Sequence, residues 1–263
     1  MKKKRILTIA DLHSGHQVGL TPLNYRVSVS QKQKKFSRVR KEVWRYFWAQ
    51  VEKYKPFDIL FLNGDALEGK GIRSGGTELI TGDRAEQCAI ASTIIRQINA
   101  PIVRAVYGTP NHTGTEEDWE DIIVTELKND FDIKIGSHEW FEVYGKVFDL
   151  KHKISSSTIP HGRLTPLARE VLWNRLWHSR GEQPKADVLI RSHAHYYEQI
   201  DHDGCLAFVT PCLQGYGSKY GSRQCSGTID IGIIVFDVYE NGRIEWKPEL
   251  IHGTTQVAKA EIL

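Results

Sequence analysis

Cysteine is scarce in this chain, at four of 263 residues, and none of Cys88, Cys205, Cys212 and Cys225 pairs with another as CxxC. That argues against a zinc ribbon or a disulfide framework and predicts reduced thiols. Long apolar runs are missing as well. The basic opening Met1-Lys2-Lys3-Lys4-Arg5 has the look of a signal-peptide start. Asp11 and His13, however, interrupt the apolar run that follows it after only five residues, Ile6 to Ala10. Such a run is too short for a signal core or a membrane span. The expectation is a cytoplasmic protein with no membrane partner. Charge of one sign is lacking too: a net +3 is too weak by itself to argue for nucleic acid. There is no repeat, no low-complexity tract and no obvious linker, so residues 1–263 are expected to form a single domain.

What the chain does have is ordinary globular composition, 40% hydrophobic and 25% charged. Lys32, Lys34, Lys35, Arg38, Arg40, Lys41 and Arg45 crowd one stretch, which reads as a solvated helix face or, alternatively, as a basic surface. Ile6–Ala10, Ile59–Leu62 and Ile102–Val106 read as buried strands. A polar loop over 14–36, which could overhang the end of the first strand, separates that strand from an amphipathic helix over 37–54. In this helix Val39, Val43, Phe47 and Val51 recur every four residues. Further helices are predicted over 83–98, 116–129 and 164–178. Strands are predicted over 141–144, 147–150, 188–190, 206–209, 231–238 and 244–246. The first half thus reads β-α-β-α-β and the second is richer in antiparallel strands. The implied fold class is α/β, two packed mixed β-sheets (a β-sandwich) flanked by helices.

Five fragments fall at or just past the ends of apolar runs: Asp11-Leu12-His13, Gly64-Asp65, Asn111-His112, His152 and His193-Ala194-His195. Loops at the carboxyl ends of strands are where an α/β sheet gathers functional groups. Two carboxylates, an amide oxygen and several imidazoles suit a pair of divalent transition metals better than a structural zinc.

In this order the fragments resemble the calcineurin-like metallophosphoesterases, whose pattern runs DxH, GD, GNH, a lone His and GHxH. The resemblance covers residues 5 to about 200 and implies that family's sandwich fold. It also implies two divalent ions, manganese first among manganese, iron, zinc and nickel. Asp11, His13 and His195 would bind one ion, and Asn111, His152 and His193 the other. Asp65 would bridge both, each of its oxygens facing a cation. His112 would be catalytic, protonating the leaving oxygen while a hydroxide held between the metals attacks phosphorus.

The chain departs from the pattern in three places. Gly-Asn becomes Gly108-Thr109-Pro110-Asn111. Thr113 stands where an acid is expected, so Glu116, Glu117 or Asp118 would have to orient His112. Ser192 replaces the last glycine. His161 in Pro160-His161-Gly162 rivals His152 as the lone histidine; His152 is preferred because it follows directly on an apolar strand. His16 and His138 are expected at the surface or behind the ligands.

The loop from Gln214 to Arg223 interleaves Tyr216 and Tyr220 with Lys219 and Arg223. Stacking on the tyrosines and phosphate contacts from the cations would bind a single strand of DNA or RNA; a plain surface loop is the other reading. The function expected is a phosphodiesterase or nuclease. The alternatives are a phosphomonoesterase or a non-catalytic scaffold of the same fold.

Overall fold

The computed structural model describes residues 1–25, 31–216, 227–251 and 260–262, with residues 31–35 described by their backbone alone. Strands β1 (Lys3–Ile9), β2 (Ile59–Asn63), β3 (Ile102–Val106) and β4 (Asp132–Gly136) lie side by side and parallel. Strands β5 (Glu139–Val143), β6 (Lys146–Lys153), β7 (Val188–Ser192), β8 (Glu198–His202) and β9 (Cys205–Val209) form a second, mixed sheet in the order β5-β6-β7-β9-β8. The chain then returns to the first sheet. There β10 (Ile231–Tyr239) pairs antiparallel with β1, and β11 (Ile244–Ile251) pairs with β10.

Five helices are described: α1 (Gln31–Tyr54), α2 (Arg84–Ile98), α3 (Pro110–Thr113), α4 (Asp121–Leu127) and α5 (Leu164–Ser179). α1 begins inside the stretch expected to be loop, and the basic run 32–45 lies on it. Of the remaining expected loop, residues 14–21 are buried rather than overhanging. β4 and β8, absent from the sequence reading, are short and half-exposed, so their apolar pattern is weak.

The central strands, such as β2 and β7, are buried on both faces, and alternation sends successive residues to different cores. Between the sheets, Ile6, Phe61, Phe148, Phe208, Ile234 and Phe236 pack together. On the opposite face of the first sheet, Leu7, Ile9, Leu60, Ile233 and Val235 meet the α1 stripe of Val39, Val43, Phe47 and Val51, none of it more than 1% exposed. α5 covers the second sheet through Leu167 and Val171. Wholly buried Arg191 on β7 ties that helix down, reaching Glu170 at 2.8 Å and Asp149 at 2.6 Å. Two parallel sheet segments packed this way bring the carboxyl ends of β1, β2, β3 and β7 to one edge of the sandwich.

Candidate metal centre

At that edge the backbone turns sharply. Asp11, His13, Asp65, His193 and His195 all have φ between 47° and 72°. Left-handed backbone at non-glycine residues costs energy and persists only where the surroundings impose it, which is common at functional sites. The turns aim these side chains inward instead of continuing the strands.

Three groups result, each bringing one ligand atom per residue within 4.8 Å of one another: the triads Asp11, His13, His195 and Asp65, His152, His193, and a linking group of His13, Asp65 and His112. His195 Nε2 lies 3.1 Å from Asp11 Oδ1 and 3.3 Å from His13 Nε2. His152 Nε2 lies 3.0 Å from Asp65 Oδ2. His152 is in β6, where the pairing register with β7 shifts between Leu150 and Lys153, and it is buried. Its rival His161 is exposed on a 3-10 turn (Pro160–Gly162).

Several imidazoles are oriented from behind. His152 Nδ1 faces the Asn63 carbonyl at 2.7 Å, and His13 Nδ1 faces the Glu68 carboxylate at 2.8 Å. Both bonds favour protonated Nδ1 and leave Nε2 as a lone-pair donor, the arrangement metal-binding histidines adopt. Glycine is required twice here. A Cβ on Gly64 would come within 2.4 Å of His152 Nδ1, and one on Gly108 within 2.1 Å of Asp65 Oδ1.

Divalent cations fit these donors. Asp65 Oδ2 and His152 Nε2 are both buried, 3.0 Å apart, with no other hydrogen-bond partner. In the metal-free chain they pair as carboxylate and imidazolium, and a cation displacing that proton would take both atoms as ligands. The charge balance agrees. Burial favours neutral Asp11, yet His195 and His152 hold its carboxyl below the usual range. Burial likewise opposes charge on His152, but Asp65 and Asp11 push it up to about 9. Buried carboxylates here draw protons onto their imidazole partners, and cations binding in the same place would release them.

Asp65 differs from expectation in one respect. Its Oδ1 already accepts the Thr109 N–H at 2.6 Å, so Oδ2 alone is free to face two cations. Asn111 is exposed and lines the cavity together with His13, Asp65, His112, His193 and His195. It belongs to the one-turn helix α3, whose preceding residue Thr109 also donates its hydroxyl to Asp65 Oδ1 at 3.3 Å.

His112 is brought in: its Nε2 stands 4.0 Å from Asp65 Oδ2, and its ring meets that of His13 edge-on at 4.6 Å. None of the three acids expected to orient it does so. Glu116 and Glu117 are exposed, and Asp118 accepts a bond from Thr113. His112 Nδ1 instead faces the main-chain carbonyl of Glu68 at 2.7 Å. His16 is buried near Glu78, and His138 bonds Asp149 away from the triads. Tyr216 lines the cavity, whereas Lys219, Tyr220 and Arg223 lie outside the described residues.

Two residues of consequence escape a reading by motif. Glu68 is nearly enclosed; burial would raise its carboxyl, but His16, His13 and His112 bring it down to about 2. Glu120 accepts the Ala66 N–H at 2.7 Å and the Gly108 N–H at 2.8 Å, clamping the Asp65 loop to the Thr109 loop. Neither sits at a periodic or motif position, and only their three-dimensional neighbours mark them.

Burial pushes the Glu120 carboxyl up to about 7, so in the metal-free chain it ionises well above the 4.5 of an ordinary glutamate. A folded-state pKa above the unfolded one means stability present at low pH and lost as pH rises through about 7. Glu120→Gln, which cannot ionise, escapes that loss but presents an N–H to one of two backbone donors. The variant should therefore be less stable at pH 5, and its deficit should narrow by up to ~3 kcal/mol by pH 8, at ~1.4 kcal/mol per pKa unit. Denaturant unfolding of the metal-free proteins at both pH values measures this, and a deficit that widens with pH would contradict the assignment.

Above the triads opens a cavity of about 380 Å³ walled by Arg73, Arg163, Tyr196, Tyr216 and Ile229. In motif order and in the layering of its sheets, this chain resembles the calcineurin-like metallophosphoesterases. No protein-family model matches the chain, and no curated protein does. Solved structures with a similar outline include an archaeal phosphodiesterase, at 12% identity over 93% of this chain and 99% of that one, with a TM-score of 0.49. Vps29 from Entamoeba histolytica, complexed with zinc, has 13% identity over 94% of this chain and 98% of its own, with a TM-score of 0.45. A predicted phosphoesterase from Streptococcus pneumoniae has 10% identity over 95% and 99%, with a TM-score of 0.39.

Proposed function

We propose that this chain is a metal-dependent phosphodiesterase of the calcineurin-like family, with a nucleic acid strand as its substrate class. The observation that carries the reading is the gathering of two His/Asp triads, one of Asp11, His13 and His195 and one of Asp65, His152 and His193, joined through His13 and Asp65, which with His112 form a third group. Asp11, His13 and His195 would hold one divalent ion, and Asn111, His152 and His193 the second, with Asp65 shared. Manganese is the proposed metal, since imidazole and carboxylate accept it, though iron, zinc and nickel suit the same donors. Bound there, such ions supply Lewis acidity and neutralise charge on a phosphoryl group.

The chain's own groups do the rest. Asp65 Oδ1 is pinned by Thr109 N–H, which fixes the carboxylate plane. Glu68 locks His13 through Nδ1 and, through its main-chain carbonyl, His112. His112 Nε2 is left facing the cavity, placed to give a proton to a departing alkoxide. A diester is the substrate proposed, the cavity beside the triads being about 380 Å³ and carrying Arg73 and Arg163 in its walls.

With manganese added, the protein is expected to hydrolyse bis(p-nitrophenyl) phosphate in preference to p-nitrophenyl phosphate. Preference for the monoester would assign the chain to the phosphomonoesterases instead. If no divalent ion binds and neither compound is turned over, the scaffold alternative stands.

No helix among the described residues is long and apolar enough to cross a membrane, and we place the protein in the cytoplasm.

A further inference from the structure

We propose that Arg163 reads a second anionic group on the substrate, a phosphate one ester link away from the bond that is cut. The inference rests on the phosphodiesterase reading and narrows it to substrates with at least two phosphates in series.

Arg163 ends the 3-10 turn before α5, and its guanidinium stacks 4.5 Å from the centre of the Tyr196 ring. Tyr196 directly follows His195, so the arginine is held over the same turn that carries a triad member. One guanidinium nitrogen, Nη2, donates to Thr228 through the carbonyl at 3.3 Å and Oγ1 at 3.2 Å. The stack and these bonds fix the plane of the group, and they leave donors of its other nitrogens unspent.

Glu198 lies near enough to feel its charge but makes no direct contact with it. Among the described residues Arg163 makes no ion pair, whereas Arg5, Arg104, Arg175 and Arg191 each bond a carboxylate. The acids of this cavity are committed elsewhere: Asp65 to His152, Glu68 to His13 and Glu78 to His16. A fixed, planar guanidinium without a direct carboxylate contact, its Nη1 unspent, in the wall of a phosphoester cavity matches a phosphate through a charge-assisted hydrogen bond. The triads would be occupied with the scissile phosphate, so the group Arg163 meets must be another one.

The test compares the binding of two phosphorothioate-linked thymidine dinucleotides, one carrying a 5′-phosphate and one without it, by titration calorimetry with manganese present. In the native protein the extra phosphate should tighten binding by roughly 10- to 100-fold, the range for hydrogen bonds to charged groups. In Arg163→Gln that gain should vanish, and in Arg163→Lys, which keeps the charge but not the stacked, fixed plane, part of it should return.

Arg73→Gln removes a cation from the same rim and should leave most of the gain in place. Equal loss in Arg73→Gln and Arg163→Gln would reduce the effect to diffuse charge and overturn the proposal. So would a gain that survives in Arg163→Gln, which would send the terminal phosphate to the triads instead. Turnover of bis(p-nitrophenyl) phosphate reports separately on the phosphodiesterase reading: a chain that cuts no diester yet shows the Arg163-dependent gain refutes that reading alone.

Discussion

Asp65→Asn should leave the purified protein with at most one divalent ion per chain where the native chain is expected to hold two, and should lower diester turnover by roughly 1,000-fold. The argument is local. Oδ1 is spent on Thr109 N–H at 2.6 Å, so every interaction with both triads passes through Oδ2. Asparagine keeps the shape but loses the charge, and whichever way the amide turns it offers at most one neutral oxygen. Losing a partner behind a ligand typically costs 10- to 100-fold in metal affinity, and losing the shared carboxylate should cost more. Elemental analysis of native and variant protein counts the ions. Two ions retained in Asp65→Asn would show that the triads bind independently, and the shared-site reading would fail.

The second large effect belongs to His112. His112→Ala should lower kcat by roughly 100- to 10,000-fold while both ions remain bound. Its Nδ1 is tied to the Glu68 carbonyl at 2.7 Å, which leaves Nε2 as the working atom. That atom also stands close enough to His13 and Asp65 to serve as a ligand, so counting ions separates the two roles. Leaving-group dependence gives an independent reading. p-Nitrophenolate departs with little help, whereas an alkoxide needs a proton. The loss should therefore be severe for a dinucleotide and mild for the nitrophenyl diester. An equal loss on both, or the disappearance of one ion, would remove His112 from the proton-donor role.

Much of this architecture is legible in residue order. The four-residue recurrence from Val39 to Val51 identifies α1's buried stripe, and the apolar runs identify the three strands at the heart of the first sheet. Asp83 marks the start of α2 because its side chain caps Ala85 and Glu86. β4 and β8 were not legible, since half-exposed edge strands lack a clear alternation. The long route of the chain was hidden as well. Nothing local to Ile231–Tyr239 says that this strand pairs with β1 across more than two hundred residues rather than with its neighbours in the second sheet.

The candidate centre divides along the same line. Motif order singles out Asp11, His13, Asp65, His112, His152, His193 and His195, and the structure gathers all seven. Asn111 came from the same motif and lines the same cavity from α3, a one-turn helix that residue spacing does not announce.

By itself, then, the sequence determined the donor types, their order along the chain and the strands that present them, because these depend on side-chain chemistry and short-range periodicity. The tertiary structure alone decided that Glu68 orients two histidines, that Glu120 clamps two loops, that Asp65 has one oxygen to share and that Arg163 stands over the cavity without a direct carboxylate contact. Each of those is a contact between residues distant in sequence, and such contacts exist only once the two sheets have packed and burial has left certain donors and acceptors no other partner.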